Sequence, residues 1–190
     1  MKTLNIPSTF KVTEEQFEVL AAANRELHLE RNKTGELIIM PPTGGNTGKR
    51  NINVSFQIQA WTRQTKLGVA FDSSTAFRLP NGAERSPDVS WVKLARWNQL
   101  TEKQQDTFPP LCPDFVVELG SPTDTRESLR QKMQEYRENG TRLGWLIDPK
   151  NKIVEIYRPE QTVELLQSPS TLSGEDILPG FVLDMQQIFS

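Results

Sequence analysis

The spacing of apolar residues changes several times along the chain, and each change marks an element. Thr13-Glu14-Glu15-Gln16 precedes Phe17, Val19 and Leu20. A hydroxyl residue followed three positions later by Gln is a capping-box signature, so a helix is predicted from here to near Asn24. Leu27 and Leu29 then alternate with His28 and Glu30, the period of a strand buried on one face. Residues 32–35 supply a turn and 36–40 a partner strand, which gives an N-terminal hairpin. The run PPTGGNTG over 41–48 interrupts regular structure.

Residues 50–66 fit two periods. Ile52, Val54, Phe56, Ile58 and Ala60 alternate as in a strand, but a stretch this long without Gly or Pro far exceeds the roughly 5–6 residues of an ordinary strand. The helix reading is preferred. It places Ile52, Phe56 and Ala60 on one stripe, with Val54, Ile58 and Trp61 opposite. A helix with two apolar sides is expected to be buried from two directions, the second side meeting the hairpin or a partner subunit.

After Gly68, strands are predicted at 69–72, 76–79 and 87–92, then a polar segment over 95–108 with a short helix or two. A continuous apolar strand at 115–119 precedes a helix over 125–139 closed by Gly140. Strands follow at 143–147, 153–157 and 163–166, and a last helix from Asp184. Strand, helix and strand in succession form a βαβ-like unit, whereas the earlier hairpins are antiparallel. The expectation is one α/β domain over 1–190, with a mixed central β-sheet flanked by helices and an N-terminal hairpin.

Composition narrows the chemistry. The 190 residues include one histidine (His28) and one cysteine (Cys112). Zinc clusters and His-Glu-x-x-His metalloproteases need more such ligands. A disulfide within the chain is impossible, which fits a reducing cytoplasm. Histidine-based hydrolases would all depend on His28. Any chemistry therefore falls to carboxylates and lysines. The 22 basic and 24 acidic residues give a net charge of −2. Five of those acids and no Lys or Arg lie in 159–190, so the remainder is mildly basic. The start MKTLNIPSTFK lacks the apolar run of a signal peptide. No stretch approaches the roughly 18 apolar residues of a membrane span.

Two acids stand where strands end. Glu118 follows the apolar run Phe115-Val116-Val117, and Asp88 opens Val89-Ser90-Trp91-Val92. At neighbouring strand ends the two can converge, and like charges that close repel unless a cation lies between them. Oxygen-only ligands suit Mg²⁺ or Mn²⁺. In the helix over 125–139 the buried stripe is Leu129, Met133 and Tyr136. Lys132 lies about 60° around from Leu129, so it borders that stripe and can aim its ammonium at the strand ends. Arg130 and Arg137 lie further from the stripe and read as solvated. Lys49 and Arg50, near the expected helix start, are candidates for contact with a DNA backbone phosphate, with ordinary solvated charge as the alternative. The loop over 43–51 lacks the spacing of a Walker phosphate loop.

The ordered set Glu30–Gly45, Arg85-Ser-Pro-Asp88, Cys112–Asp124, Lys132-Met-Gln-Glu-Tyr136, Arg142–Pro149 and Leu178–Asp184 resembles the Uma-two family. That family is a bacterial branch of the PD-(D/E)XK, restriction-endonuclease-like superfamily. The resemblance implies that Asp88 is the acid of the PD motif and Glu118 the acid of (D/E)XK. Gly120 stands where the motif's lysine is expected, and Lys132 resembles the lysine that some branches carry on the following helix. Glu30 looks like the superfamily's additional N-terminal acid. The implied activity is Mg²⁺- or Mn²⁺-dependent endonuclease cleavage of DNA phosphodiester bonds. Asp88 and Glu118 would hold the metal, with Lys132 and Glu30 completing the catalytic set. The two-sided helix and the likeness to nucleases that cut both strands lead to an expected homodimer. Two alternatives stand beside this reading: a catalytically inactive nuclease-fold protein that binds nucleic acid or a protein partner, and a carboxylate-only glycosidase.

Overall fold

The computed structural model describes residues 10–122 and 124–190. Helix α1 (Glu14–Ala23) opens on the Thr13–Gln16 capping box. Strands β1 (His28–Arg31) and β2 (Leu37–Met40) form the hairpin, with His28 opposite Met40 and Arg31 opposite Leu37. Its turn is closed by Asn32, whose Oδ1 accepts the Thr34 and Glu36 N–H groups. Gly35, at φ 87°, takes the conformation that side chains disfavour there.

Helix α2 (Gly45–Thr65) leads to β3 (Gly68–Asp72), β4 (Phe77–Arg78), β5 (Glu84–Arg85) and β6 (Val89–Lys93). Two short helices, α3 (Leu94–Trp97) and α4 (Glu102–Gln105), precede β7 (Phe115–Leu119), α5 (Arg126–Glu138) and β8 (Leu143–Asp148). Strands β9 (Ile153–Tyr157), β10 (Glu164–Gln167), β11 (Thr171–Ser173) and β12 (Val182–Asp184) complete the described elements. The central sheet runs β10-β9-β8-β7-β6-β3. Its β7–β8 pair is parallel, with α5 as the crossover, and its other pairs are antiparallel. The hairpin joins β4 and β5 in a smaller sheet of order β2-β1-β5-β4. The fold is therefore the mixed α/β architecture expected, with a mixed central sheet flanked by helices.

Both faces of the central sheet are covered. Phe115, Val117 and Leu119 point to one face, where Val54, Ile58 and Trp61 of α2 pack with Phe181, Leu183, Met185 and Ile188. Val116 and Leu146 point to the other, against Met133 and Tyr136 of α5. Each such side chain contributes about 1.5–3 kcal/mol by leaving water. The two-residue period carries Glu118 to the α5 face with Val116, and Asp88 to the same face as Ser90 and Val92.

Several expectations change. Helix α2 begins at Gly45, so the loop is shorter than 41–48. It is buried on one side only: Val54, Ile58 and Trp61 are buried, whereas Ile52 and Phe56 are 66% and 69% exposed. The hairpin does not cover that second side. The expected helix from Asp184 is a strand end followed by a turn. Asp184 Oδ1 accepts the Gln186 N–H, and the bonds from Ile188 and Phe189 to the Met185 carbonyl close a single turn, too short to propagate as a helix. The β11–β12 pair was not foreseen; it is a two-strand ribbon that buries Leu172 and Leu183 against the core. Among the described residues no helix is long and apolar enough to cross a membrane.

Gly68 opens β3 with its Cα hydrogen against the Trp91 ring and the Val92 carbonyl, where an added Cβ would overlap both. Gly68→Ala is expected to destabilise the fold by about 1–3 kcal/mol through overpacking, read as a lowered midpoint in a thermal melt. An unchanged midpoint would contradict this close approach.

Candidate active site

Lys132 reaches across from α5 and places its Nζ between two acids, 2.8 Å from Glu30 Oε1 and 2.9 Å from Glu118 Oε1. A third bond, of 3.2 Å, goes to the Ser86 carbonyl. An ammonium has three protons, and all three have acceptors here. Lys132 thus ties β1, the β5–β6 link, β7 and α5 to one point. The helix angle that put Lys132 at the border of the buried stripe is what makes this reach possible.

Glu118 is buried, not solvated at a strand exit. Both the Lys132 bond and a 3.0 Å bond from the Tyr136 hydroxyl fall on its Oε1. Burial pushes the Glu118 carboxyl up, to about 8; Lys132 opposes the rise, while the charges of Asp88 and Glu30 add to it. Burial also disfavours the Lys132 ammonium, but Glu118 and Glu30 outweigh that and hold it protonated. The Tyr136 hydroxyl is held well above its ordinary value by burial and the nearby Glu118, so it remains a donor.

Asp88 is half-buried beside this group. Its Oδ2 accepts the Leu119 N–H at 2.7 Å, and its Oδ1 accepts the side-chain amide of Asn51 at 3.0 Å. Burial raises the Asp88 carboxyl; the Leu119 N–H and Lys132 work against that rise, and Asp124 and Glu30 reinforce it. Glu30 behaves differently. Burial would raise it, but Lys132, Arg85 and the Ser86 N–H outweigh burial and keep it below the usual carboxylate range. Its Oε2 accepts from Arg85 Nη1 at 3.0 Å, and Arg85 Nε donates in turn to Glu135 at 2.6 Å.

The structure therefore brings Asp88, Glu118, Lys132 and Glu30 into one groove. Lys49 and Arg50 do not line it. Lys49 Nζ meets the Ser190 hydroxyl, and Arg50 donates to the carbonyls of Ile188 and Ser190, so both side chains hold the C-terminal segment. The sequence reading missed Asn51, Tyr136 and Arg85 as partners of the acids. No local signal singled out Asn51: Thr47, Asn51 and Ser55 recur every four residues, but so do Lys49, Asn53 and Gln57 on the same helix.

Four buried or half-buried carboxylates (Glu30, Asp88, Glu118, Glu135) share this neighbourhood with two cations, Lys132 and Arg85, and the exposed Asp124 adds further negative charge beside Asp88. Fully ionised, the set carries two uncompensated negative charges. Oxygen donors with a charge deficit of two fit a Mg²⁺ or Mn²⁺ ion. Among the described residues no three acidic, His or Cys side chains are close enough to chelate an ion unaided. A Mg²⁺ held here would therefore rest on one or two carboxylates, with water and substrate phosphate completing its shell.

The raised Glu118 carboxyl has a consequence for stability. Its folded value, about 8, exceeds the ordinary 4.5, so between those limits the folded chain holds a proton that the unfolded chain releases. The contribution is fully present below about pH 4.5 and is lost as pH rises through 8. Glu118→Gln removes this dependence. Without added metal, its melting midpoint minus that of wild type is expected to increase from pH 5.5 to pH 8.5. A pH-independent difference would show that Glu118 titrates normally.

Residues 14–186 match the family Uma2, described as "Putative restriction endonuclease". No curated protein matches the chain in sequence. Among solved structures, the fold is similar to a crystal structure described as a "putative nuclease belonging to DUF820" from Anabaena variabilis ATCC 29413. The TM-score is 0.78 at 21% identity, covering 94% of this chain and 97% of that one. With a family match that spans nearly its whole length and takes in every acid of the groove, the chain belongs to the Uma2 (Uma-two) family.

Proposed function

We propose that the protein is a Mg²⁺- or Mn²⁺-dependent endonuclease that hydrolyses phosphodiester bonds in DNA, acting in the cytoplasm. The observation that carries this reading is the gathering of carboxylates around Lys132: Glu30, Asp88, Glu118 and Glu135 outnumber the cations Lys132 and Arg85 in one groove. Asp88 and Glu118 would hold the ion. Once bound there, it would stabilise charge on the phosphate and acidify a water.

The chain's own residues divide the remaining work. Asn51 and the Leu119 N–H fix the Asp88 carboxylate through neutral donors, which orient it without cancelling its charge. Tyr136 does the same for Glu118. Glu30, with both oxygens committed to Lys132, Arg85 and Ser86, positions the ammonium. On this reading Glu118 would turn from Lys132 towards the cation, and Lys132 would keep Glu30 and Ser86 and have one N–H for a phosphate oxygen or the attacking water.

The non-catalytic alternative drew on Gly120 in the lysine position, and Lys132 supplies an ammonium 2.9 Å from Glu118 without that residue. A glycosidase would want aromatic platforms for sugar. Among the described residues lining the groove, Tyr157 is the one Phe, Tyr or Trp, and its hydroxyl is spent on Glu155.

The homodimer belongs to the same proposal. The exposed stripe of Ile52 and Phe56 on α2 is the surface a second copy would cover, and two copies would let one assembly cut both strands. Sedimentation of wild type is expected to show a dimer, and Phe56→Asp a monomer. A wild-type monomer at high concentration would remove this element.

Cleavage of supercoiled plasmid and single-stranded DNA tests the activity. Wild type is expected to cut with Mg²⁺ or Mn²⁺ and not with chelator. Asp88→Ala and Lys132→Met are each expected to lose about 10²–10³-fold, the scale of removing one transition-state contact. Equal cleavage by wild type and Asp88→Ala would overturn the site. Absence of metal-dependent cleavage on every substrate would overturn the enzyme.

A further inference from the structure

We propose that Arg126 and Arg130 form a clamp for a backbone phosphate of the nucleic-acid substrate where α5 meets β9; Arg130 lines the groove, and Arg126 shares its carboxylate, Glu155. The proposal rests on the nuclease reading. The two arginines occupy successive turns at the start of α5, just before Lys132. Both dock on one carboxylate. Arg126 Nε and Nη2 lie 3.0 and 2.7 Å from Glu155 Oε1. Arg130 Nη2 lies 2.8 Å from Oε1 and its Nε 3.0 Å from Oε2. The Tyr157 hydroxyl donates to Oε2 at 2.9 Å.

Glu155 is buried, at 3% side-chain exposure, whereas Arg126 and Arg130 are 41% and 44% exposed. A buried anion therefore anchors two guanidiniums whose outer edges face solvent. Glu155 and the nearby Glu127 both act on Arg130, so what the pair offers a phosphate is two guanidinium forks fixed in place by Glu155. The bonds to Glu155 use Nε and Nη2 of each fork, and each Nη1 lies outside those bonds. A phosphate oxygen between the forks would meet donors already fixed in place, so little side-chain freedom would be lost on binding.

The rest of the groove strengthens the case. Glu26, Asp124, Glu127 and Glu138 add negative charge to its lining. Of its other cationic residues, Arg85 and Lys132 are committed to buried acids, and Lys33 sits exposed in the hairpin turn. A polyanion entering such a groove needs a fixed cationic hold outside the carboxylate centre, and Arg130 lines the groove at that position. Leu165 lies opposite Glu155 across the β9–β10 pair and is 53% exposed, which puts apolar surface for a sugar or base beside the clamp.

The test is fluorescence anisotropy with a fluorescein-labelled DNA duplex and its single strand, in chelator, using Asp88→Asn protein so that nothing is cut. In that background, Arg126→Gln/Arg130→Gln/Glu155→Gln removes the clamp without leaving a bare buried carboxylate. It is expected to weaken binding about 10-fold and to flatten the dependence of log affinity on log salt by about 1, the change for one phosphate no longer neutralised. Arg126→Gln alone, which leaves Arg130 on Glu155, is expected to weaken binding about 3-fold, and it decides the matter should the triple variant fail to fold. Arg142→Gln, an exposed arginine paired with Asp176, is expected to change neither quantity. If the clamp variants bind like their parent with the same salt slope, the clamp is wrong and the nuclease reading stands. If the Asp88→Asn parent binds neither DNA, both fall.

Discussion

The structure depends on the ammonium of Lys132. Buried carboxylates are tolerated when each has a partner, and here one cation serves two of them, Glu30 on β1 and Glu118 on β7, while also meeting the Ser86 carbonyl. Those contacts join the hairpin sheet to the central sheet across α5. The groove exists because these elements meet around a charged centre and not around an apolar one. Arg85 extends the same principle, bridging Glu30 to Glu135 on the helix that bears Lys132.

What the cations leave unbalanced gives the site its chemistry. Asp88 receives its direct bonds from the neutral donors Asn51 and Leu119 N–H, and Glu118 has the neutral Tyr136 hydroxyl beside Lys132. Neutral donors fix geometry and leave charge in place. Desolvation then acts on whatever charge remains, which is why Glu118 rises to about 8 while Glu30, with two cations and an N–H, falls. Carboxylates a few ångströms apart thus differ in protonation because their partners differ. On the proposed function a divalent ion would answer the remaining deficit with the same oxygen ligands and would need no histidine or cysteine, which accords with a chain that has one of each.

Much of this was legible in the sequence for physical reasons. Strand periodicity put Asp88 and Glu118 at neighbouring strand positions, and the 3.6-residue turn put Lys132 at the edge of the stripe of Leu129, Met133 and Tyr136. The capping box fixed the start of α1, and the βαβ pattern fixed the parallel β7–β8 pair. Other features depend on tertiary partners and could not be read locally. Apolar residues at Ile52 and Phe56 look buried by period, yet no described element packs on them. Arg130 is solvated as the helical wheel suggests, at 44% exposure, but its pairing with Glu155 on β9 could not be read locally. The carboxylate of Asp184 can cap a helix or a turn, and only the β11–β12 pairing decides between them. Asn51 was hidden because a single asparagine in a helix of uncertain period carries no signal until Asp88 is placed beside it.

On the proposed function, the carboxylates around Lys132 are arranged to receive a divalent cation. Anomalous diffraction from crystals grown with Mn²⁺ and no nucleic acid tests it most directly. The account predicts a peak between the Asp88 and Glu118 carboxylates, with Glu118 turned from Lys132 and Glu30 still bound to it. A map with no peak at those carboxylates under saturating Mn²⁺, and with the Lys132–Glu118 pair intact, would contradict it.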